Sequence, residues 1–147
     1  MFRFVEHQAD IAVELEAGSR EELFQTALDA LTALLTGDPD NRDTSDKIEE
    51  NLKDLQQNTS IKANGFDDEE RLIGLMNEFL YLCQVKGFYP RKTDQIAFND
   101  QGGVSADLTG IFDRHDLQFL REIKAATYHD IIIRSGKVWK VKVVMDV

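Results

Sequence analysis

Cysteine and proline are scarce in this 147-residue chain: one Cys and two Pro. The lone Cys83 cannot close an internal disulfide, which excludes the disulfide-stapled secreted scaffolds and sets the expectation of a reducing, cytoplasmic setting. No uninterrupted apolar run approaches the ~18–20 residues of a membrane span. The opening residues carry no basic-then-apolar leader, so neither membrane attachment nor export is expected. Basic residues are also the minority, with 17 Lys and Arg against 27 Asp and Glu and a formal net charge of −10. Such a surface repels a phosphate backbone and favours metal ions or basic protein partners, so direct high-affinity nucleic-acid binding is not expected. There is no phosphate-cradling glycine loop and no Cys or His pair at zinc-ligand spacing.

What is present describes a folded chain. An apolar fraction of 42% with interspersed charge is globular rather than disordered, and the length fits one domain over residues 1–147. Residues 2–6 and 11–17 read as strands; in the second, Ile11, Val13 and Leu15 alternate with Ala12, Glu14 and Glu16. Ser19 then caps a helix, with Glu22 three residues on to complete a capping box. Leu23, Phe24, Ala27, Leu28, Leu31, Leu34 and Leu35 form its apolar stripe, and Gly37 ends it. The acidic stretch 37–60 reads as a loop with a short helix around Asp46–Leu55. A strand near Ile61–Ala63 leads to a second helix from Asp68 to Lys86, with acidic residues at its positive end and Gly87 as its stop. Strands follow at Gln95–Phe98 and Val104–Phe112, then a hairpin of Glu122–Ile133 and Val138–Val147 through Ser135-Gly136. The pattern predicts an α+β fold, a largely antiparallel sheet carrying two main amphipathic helices on one face.

Several residue groups invite a functional reading. Asp38, Asp40 and Glu49 match positions one, three and twelve of a calcium loop, but Arg42 and Asp43 occupy positions five and six, where the sixth must be glycine. Cys83 has three histidines, His7, His115 and His129, as conceivable partners, yet it falls on the apolar stripe of the second helix, where cysteines are inert. Lys137, Lys140 and Lys142 read as a solvated strand face. The chain ends are different. On the last strand Trp139, Val141, Val143, Met145 and Val147 share one face, so Asp146 points away from the core, and Asp10 is in phase with the polar face of its own strand. Should the ends meet, Asp10, Asp146 and an oxygen of Val147 would form a hard site for calcium or magnesium. The alternative is a turn-capping Asp10 and an ordinary surface Asp146.

Four blocks, "HQADIAVE", "LIGLMNEFLYL", "EIKAATYHDIII" and "WKVKVVMDV", resemble in order and spacing those of the archease family. The family's first block reads His-Thr-Ala-Asp; this chain has Gln8 for the threonine and keeps His7 and Asp10. The resemblance implies a strand–helix–strand–strand module with a similar module inserted into it. It implies an accessory protein that is not itself an enzyme: an activator of the RtcB-type tRNA-splicing RNA ligase, promoting GTP-dependent guanylylation of the ligase histidine and multiple turnover. The family's metal-binding aspartates map onto Asp10 and Asp146, with Val147 supplying a backbone oxygen. The ion implied is divalent, calcium first, with magnesium or manganese as alternatives. His7 and His129 are expected to support rather than to ligate, and Tyr128 and Lys124 to be structural or at a partner surface. Two other functions stay open: a chaperone-like modulator of another RNA-modifying enzyme, such as a tRNA methyltransferase, and a stand-alone metal-dependent hydrolase. Against the hydrolase, no nucleophile or acid–base pair accompanies the aspartates.

Overall fold

Both helices among the described residues begin with the same device. In the computed structural model, which describes residues 1–7, 10–37, 55–112 and 117–147 (backbone alone at 6 and 7), helix α1 spans Arg20–Thr36. Its N-cap Ser19 is extended, and the hydroxyl accepts from the Glu22 N–H at 3.1 Å. The Glu22 carboxylate accepts from the Gly18 N–H at 3.1 Å, one residue earlier than the capping box requires. Helix α2, Asp68–Gln84, repeats this: Asp67 accepts from the Glu70 N–H at 2.8 Å, and Glu70 accepts from the Phe66 N–H at 2.9 Å. Gly37, at φ 77°, ends α1 in the left-handed conformation and donates to the Ala33 carbonyl.

The strands form two antiparallel sheets. Strands β1 (Phe2–His7), β2 (Asp10–Ala17), β6 (Ala125–Thr127) and β7 (Trp139–Asp146) make one, in the order β1-β2-β7-β6. Strands β3 (Gln57–Asn64), β4 (Phe88–Phe98) and β5 (Gly103–Phe112) make the other, in the order β3-β5-β4. The helices serve both: α1 packs on β2 and β4, and α2 on β3 and β6. Their apolar stripes, including Leu23, Phe24, Leu72 and Phe79, are fully buried and belong to one core with Val13, Val143 and Leu108. Burying a side chain of that size contributes roughly 1.5–3 kcal/mol. The α+β antiparallel reading therefore holds, with its strands divided over two sheets. No helix among the described residues is long and apolar enough to cross a membrane.

Three strands depart from expectation, and the first is β3, which begins at Gln57, inside the stretch read as a loop. β4 starts at Phe88, well before Gln95, because it tolerates register irregularities at Pro90/Lys92 and Thr93/Gln95 that hide its alternation. Gly110 on β5 makes room for its start, since a Cβ there would stand 2.4 Å from the Phe88 ring and from the Tyr89 carbonyl. The long strand expected over Glu122–Ile133 contracts to the three residues of β6. The chain turns at Tyr128, whose carbonyl accepts from Ile131, with Asp130 at φ 51°. It rejoins β7 only at the Arg134–Lys140 bridge. Ile133 instead donates its N–H to the Glu69 carboxylate of α2 at 3.0 Å. The short helix expected over Asp46–Leu55 lies, but for Leu55, outside the described residues.

Candidate metal centre at the paired chain ends

The β2–β7 register brings the chain ends together. Asp10 and Asp146 are direct cross-strand partners, so their side chains leave the same face with Cβ atoms roughly 4.5–5.5 Å apart. The rest of this ladder pairs like a well-matched sheet: Ile11 with Met145, Ala12 with Val144, Val13 with Val143, Glu14 with Lys142 and Glu16 with Lys140. Every charged pair is complementary except the last, where acid meets acid. Two carboxylates at that separation repel by on the order of 1 kcal/mol even in water-like surroundings, and like charges directly opposite destabilise a sheet.

The row extends across the whole sheet. His7 on β1 is opposite Asp10, and Ala125 on β6 is opposite Asp146. The Lys124 N–H donates to the Asp146 carbonyl at 2.8 Å, so the Asp146 main chain is held from one side while its side chain is exposed. Asp10 is half-buried. A concavity of about 550 Å³, lined by Phe4, Val5, Asp10, Ile11, Leu34 and Arg121 among others, opens beside it. No third His, Cys, Asp or Glu joins the two aspartates among the described residues. A cation held here would draw on two carboxylates, an oxygen of Val147 directly after β7, and water. That donor set is all hard oxygen and at least partly open to solvent, and suits a divalent ion such as calcium or magnesium. The residues present fit such an ion.

The other candidates fall away or lie elsewhere. Cys83 is 1% exposed, and burial pushes its thiol far above the ordinary value, so it holds its proton and serves as core. His129 lies beyond Thr127 on a chain running away from Asp146, since Thr127 already pairs with Val144. Its Nε2 is 3.3 Å from the Asp130 carboxylate. Lys140 and Lys142 stand opposite Glu16 and Glu14, and Arg3 also meets Glu14 in an ion pair, so the basic strand face is answered locally. His115, the side chain of His7, and the acidic positions 38, 40 and 49 are outside the described residues. Lys124, assigned from the sequence to structure or a partner surface, proves to be exposed and bonded directly to the Asp146 backbone. Only the register reveals that neighbour.

Comparison with known proteins covers nearly the whole chain. A family model described as "Archease protein family (MTH1598/TM1083)" matches residues 2–147. A protein archease of Methanosarcina barkeri is 28% identical over 153 aligned positions, spanning 99% of this chain and 95% of that protein. A crystal structure from Thermotoga maritima, described as an archease and possible chaperone, is 26% identical with a TM-score of 0.61, covering 97% of this chain and 94% of that one. The solution structure of protein 1598 of Methanobacterium thermoautotrophicum shares the fold at 19% identity, TM-score 0.64, covering 99% and 98%.

Proposed function

The chain belongs to the archease family, and from that premise we propose that it is an accessory protein that activates an RtcB-type tRNA-splicing RNA ligase, using a divalent cation held by Asp10, Asp146 and Val147. In this reading it promotes guanylylation of the ligase histidine and lets the ligase turn over repeatedly, without itself carrying the chemistry. The observation that supports it most is the acid–acid pair closing a ladder whose other charged pairs are complementary. A sheet that accepts this repulsion at its end gains a binding point for a cation, which removes the repulsion when it arrives. The net charge of −10 suits docking on a basic enzyme surface. Cys83 is buried and, among the described residues, no acid–base pair accompanies the aspartates, which weighs against a stand-alone hydrolase.

The test is purified ligase turnover with and without this protein. Asp10→Asn and Asp146→Asn should each remove most of the activation while leaving the circular dichroism spectrum unchanged. The double variant should cost little more than the worse single one, since ligands of a shared ion are not independent. Glu14→Gln, on the same strand face, should activate normally. Well-folded aspartate variants that still activate fully would refute the cation mechanism. A second reading is favoured by the description of the Thermotoga protein as a possible chaperone: a chaperone-like modulator of another RNA-modifying enzyme, such as a tRNA methyltransferase. Suppression of aggregation of such an enzyme, with no effect on ligase guanylylation, would select it.

A further inference from the structure

Among the described residues β6 is the outer strand of its sheet, with β7 on one side and no strand on the other. Its open side is closed by two side chains of α2. The Asn77 carboxamide donates to the Ala126 carbonyl at 3.1 Å and accepts from the Ala126 N–H at 2.7 Å. The Gln84 carboxamide donates to the Ile123 carbonyl at 2.7 Å and accepts from the Ile123 N–H at 2.8 Å. A carboxamide carries the same donor and acceptor as a peptide group, so each makes the doubly bonded pair that a neighbouring strand would make.

The spacing explains why a helix can do this. Positions 77 and 84 are two turns apart on one face of α2, about 10.5 Å along its axis. Residues 123 and 126 of an extended chain are about 10 Å apart. In a regular strand residues 123 and 126 would turn their peptide groups to opposite sides. Here both turn to α2 because Lys124 and Ala125 both face Asp146, an irregularity just where β6 begins at Ala125. Between the clamped residues lie Lys124 and Ala125, which contact Asp146: Lys124 through its N–H to the Asp146 carbonyl, and Ala125 as the cross-strand partner. Asp146 is the last residue of β7, and strand ends open most easily.

We propose that Asn77 and Gln84 are positioning residues for the cation site: two carboxamides of α2 replace a missing strand, lock residues 123–126, and through them hold the Asp146 main chain opposite Asp10. The inference rests on the cation reading of Asp10 and Asp146 above. Removing either carboxamide loosens one end of the clamp and lets the Asp146 carboxylate wander from Asp10. The folded protein survives this, but its affinity for the ion falls, as it does when groups that orient metal ligands are lost.

The experiment is calorimetric titration of the full chain with calcium, then magnesium and manganese, well below the melting temperature. The proteins are wild type, Asn77→Ala, Gln84→Met, the double variant, Asp10→Asn and Ile73→Val. Ile73 is a fully buried residue of the same helix, so its truncation reports a loss of stability alone. We expect each single clamp variant to weaken binding severalfold and the double variant to weaken it about 10-fold or more. Ile73→Val should lower the melting temperature with affinity unchanged, and amide exchange at Lys124 should quicken only in the clamp variants. Should the double variant fail to fold, the singles decide, each keeping the other carboxamide. Wild-type affinity in folded clamp variants, alongside lost binding in Asp10→Asn, would overturn the clamp and leave the cation site standing. Absence of any Asp10-dependent ion binding by the wild type would overturn both.

Discussion

Replacing Asp146 by Lys should make the metal-free protein more stable and at the same time make it indifferent to calcium. Along the β2–β7 ladder Glu14 faces Lys142 and Glu16 faces Lys140, whereas Asp10 faces Asp146. Asp146→Lys extends the complementary pattern by one more pair. It removes a like-charge contact and adds an opposite-charge one; each term is worth about 0.2–1 kcal/mol across a strand pair, and the exposure of Asp146 keeps both at the low end. The sum is about 0.5 kcal/mol, or about 1–2 °C in melting temperature for a chain of this size. In wild type, calcium at 100 times its Kd should stabilise by about 2.7 kcal/mol through mass action; in Asp146→Lys that increment should vanish. Differential scanning calorimetry in chelator and in millimolar calcium measures both quantities on one sample. A variant that melts below wild type in chelator, or that still rises with calcium, would refute the reasoning: the first denies the repulsion, the second denies Asp146 a part in binding.

Little binding of a broken tRNA stem-loop is expected by fluorescence anisotropy at near-physiological salt, because the chain carries a net charge of −10; submicromolar affinity would contradict this. Association with the ligase should slow as salt rises, since screening shortens the reach of the acidic field to about 8 Å at physiological ionic strength; a flat response in stopped-flow measurements would exclude electrostatic steering. Burial of its carboxyl against neighbouring groups pushes Asp29 of α1 up to about 6, opposed by the Met1 ammonium. The native state then holds a proton that the unfolded chain releases near 3.8, so this residue's contribution to stability falls as the pH rises from about 4 to about 6. Asp29 keeps an exposed surface, which makes the slope shallow. Asp29→Asn should flatten it relative to wild type in urea unfolding between those pH values, and an unchanged difference would reject the assignment.

What was legible in the sequence was local. Ser19 with Glu22, and the carboxylates ahead of Leu72, announced both helix starts because a cap and its first turn lie within four residues of each other. The alternation of Ile11, Val13 and Leu15 announced β2 because a half-buried strand writes its period into adjacent positions. Asp10 and Asp146 stood out as strand-end residues that the core did not need. Long-range partner choice was not legible. Nothing near Ile61 or Ile96 says that their strands share β5 rather than joining the sheet of β2, and Pro90 with its charged neighbours concealed the first half of β4. The extent of β6 was misjudged for the same reason. The isoleucines on either side of it, Ile123 and Ile131 to Ile133, have strand character, yet the backbone of this stretch finds partners in Asn77, Gln84 and Glu69, 39 to 64 residues away in sequence. Once those side chains complete the hydrogen bonds, Ile133 has no need of the β7 ladder. The chain is free to turn at Tyr128, and β6 stops at Thr127.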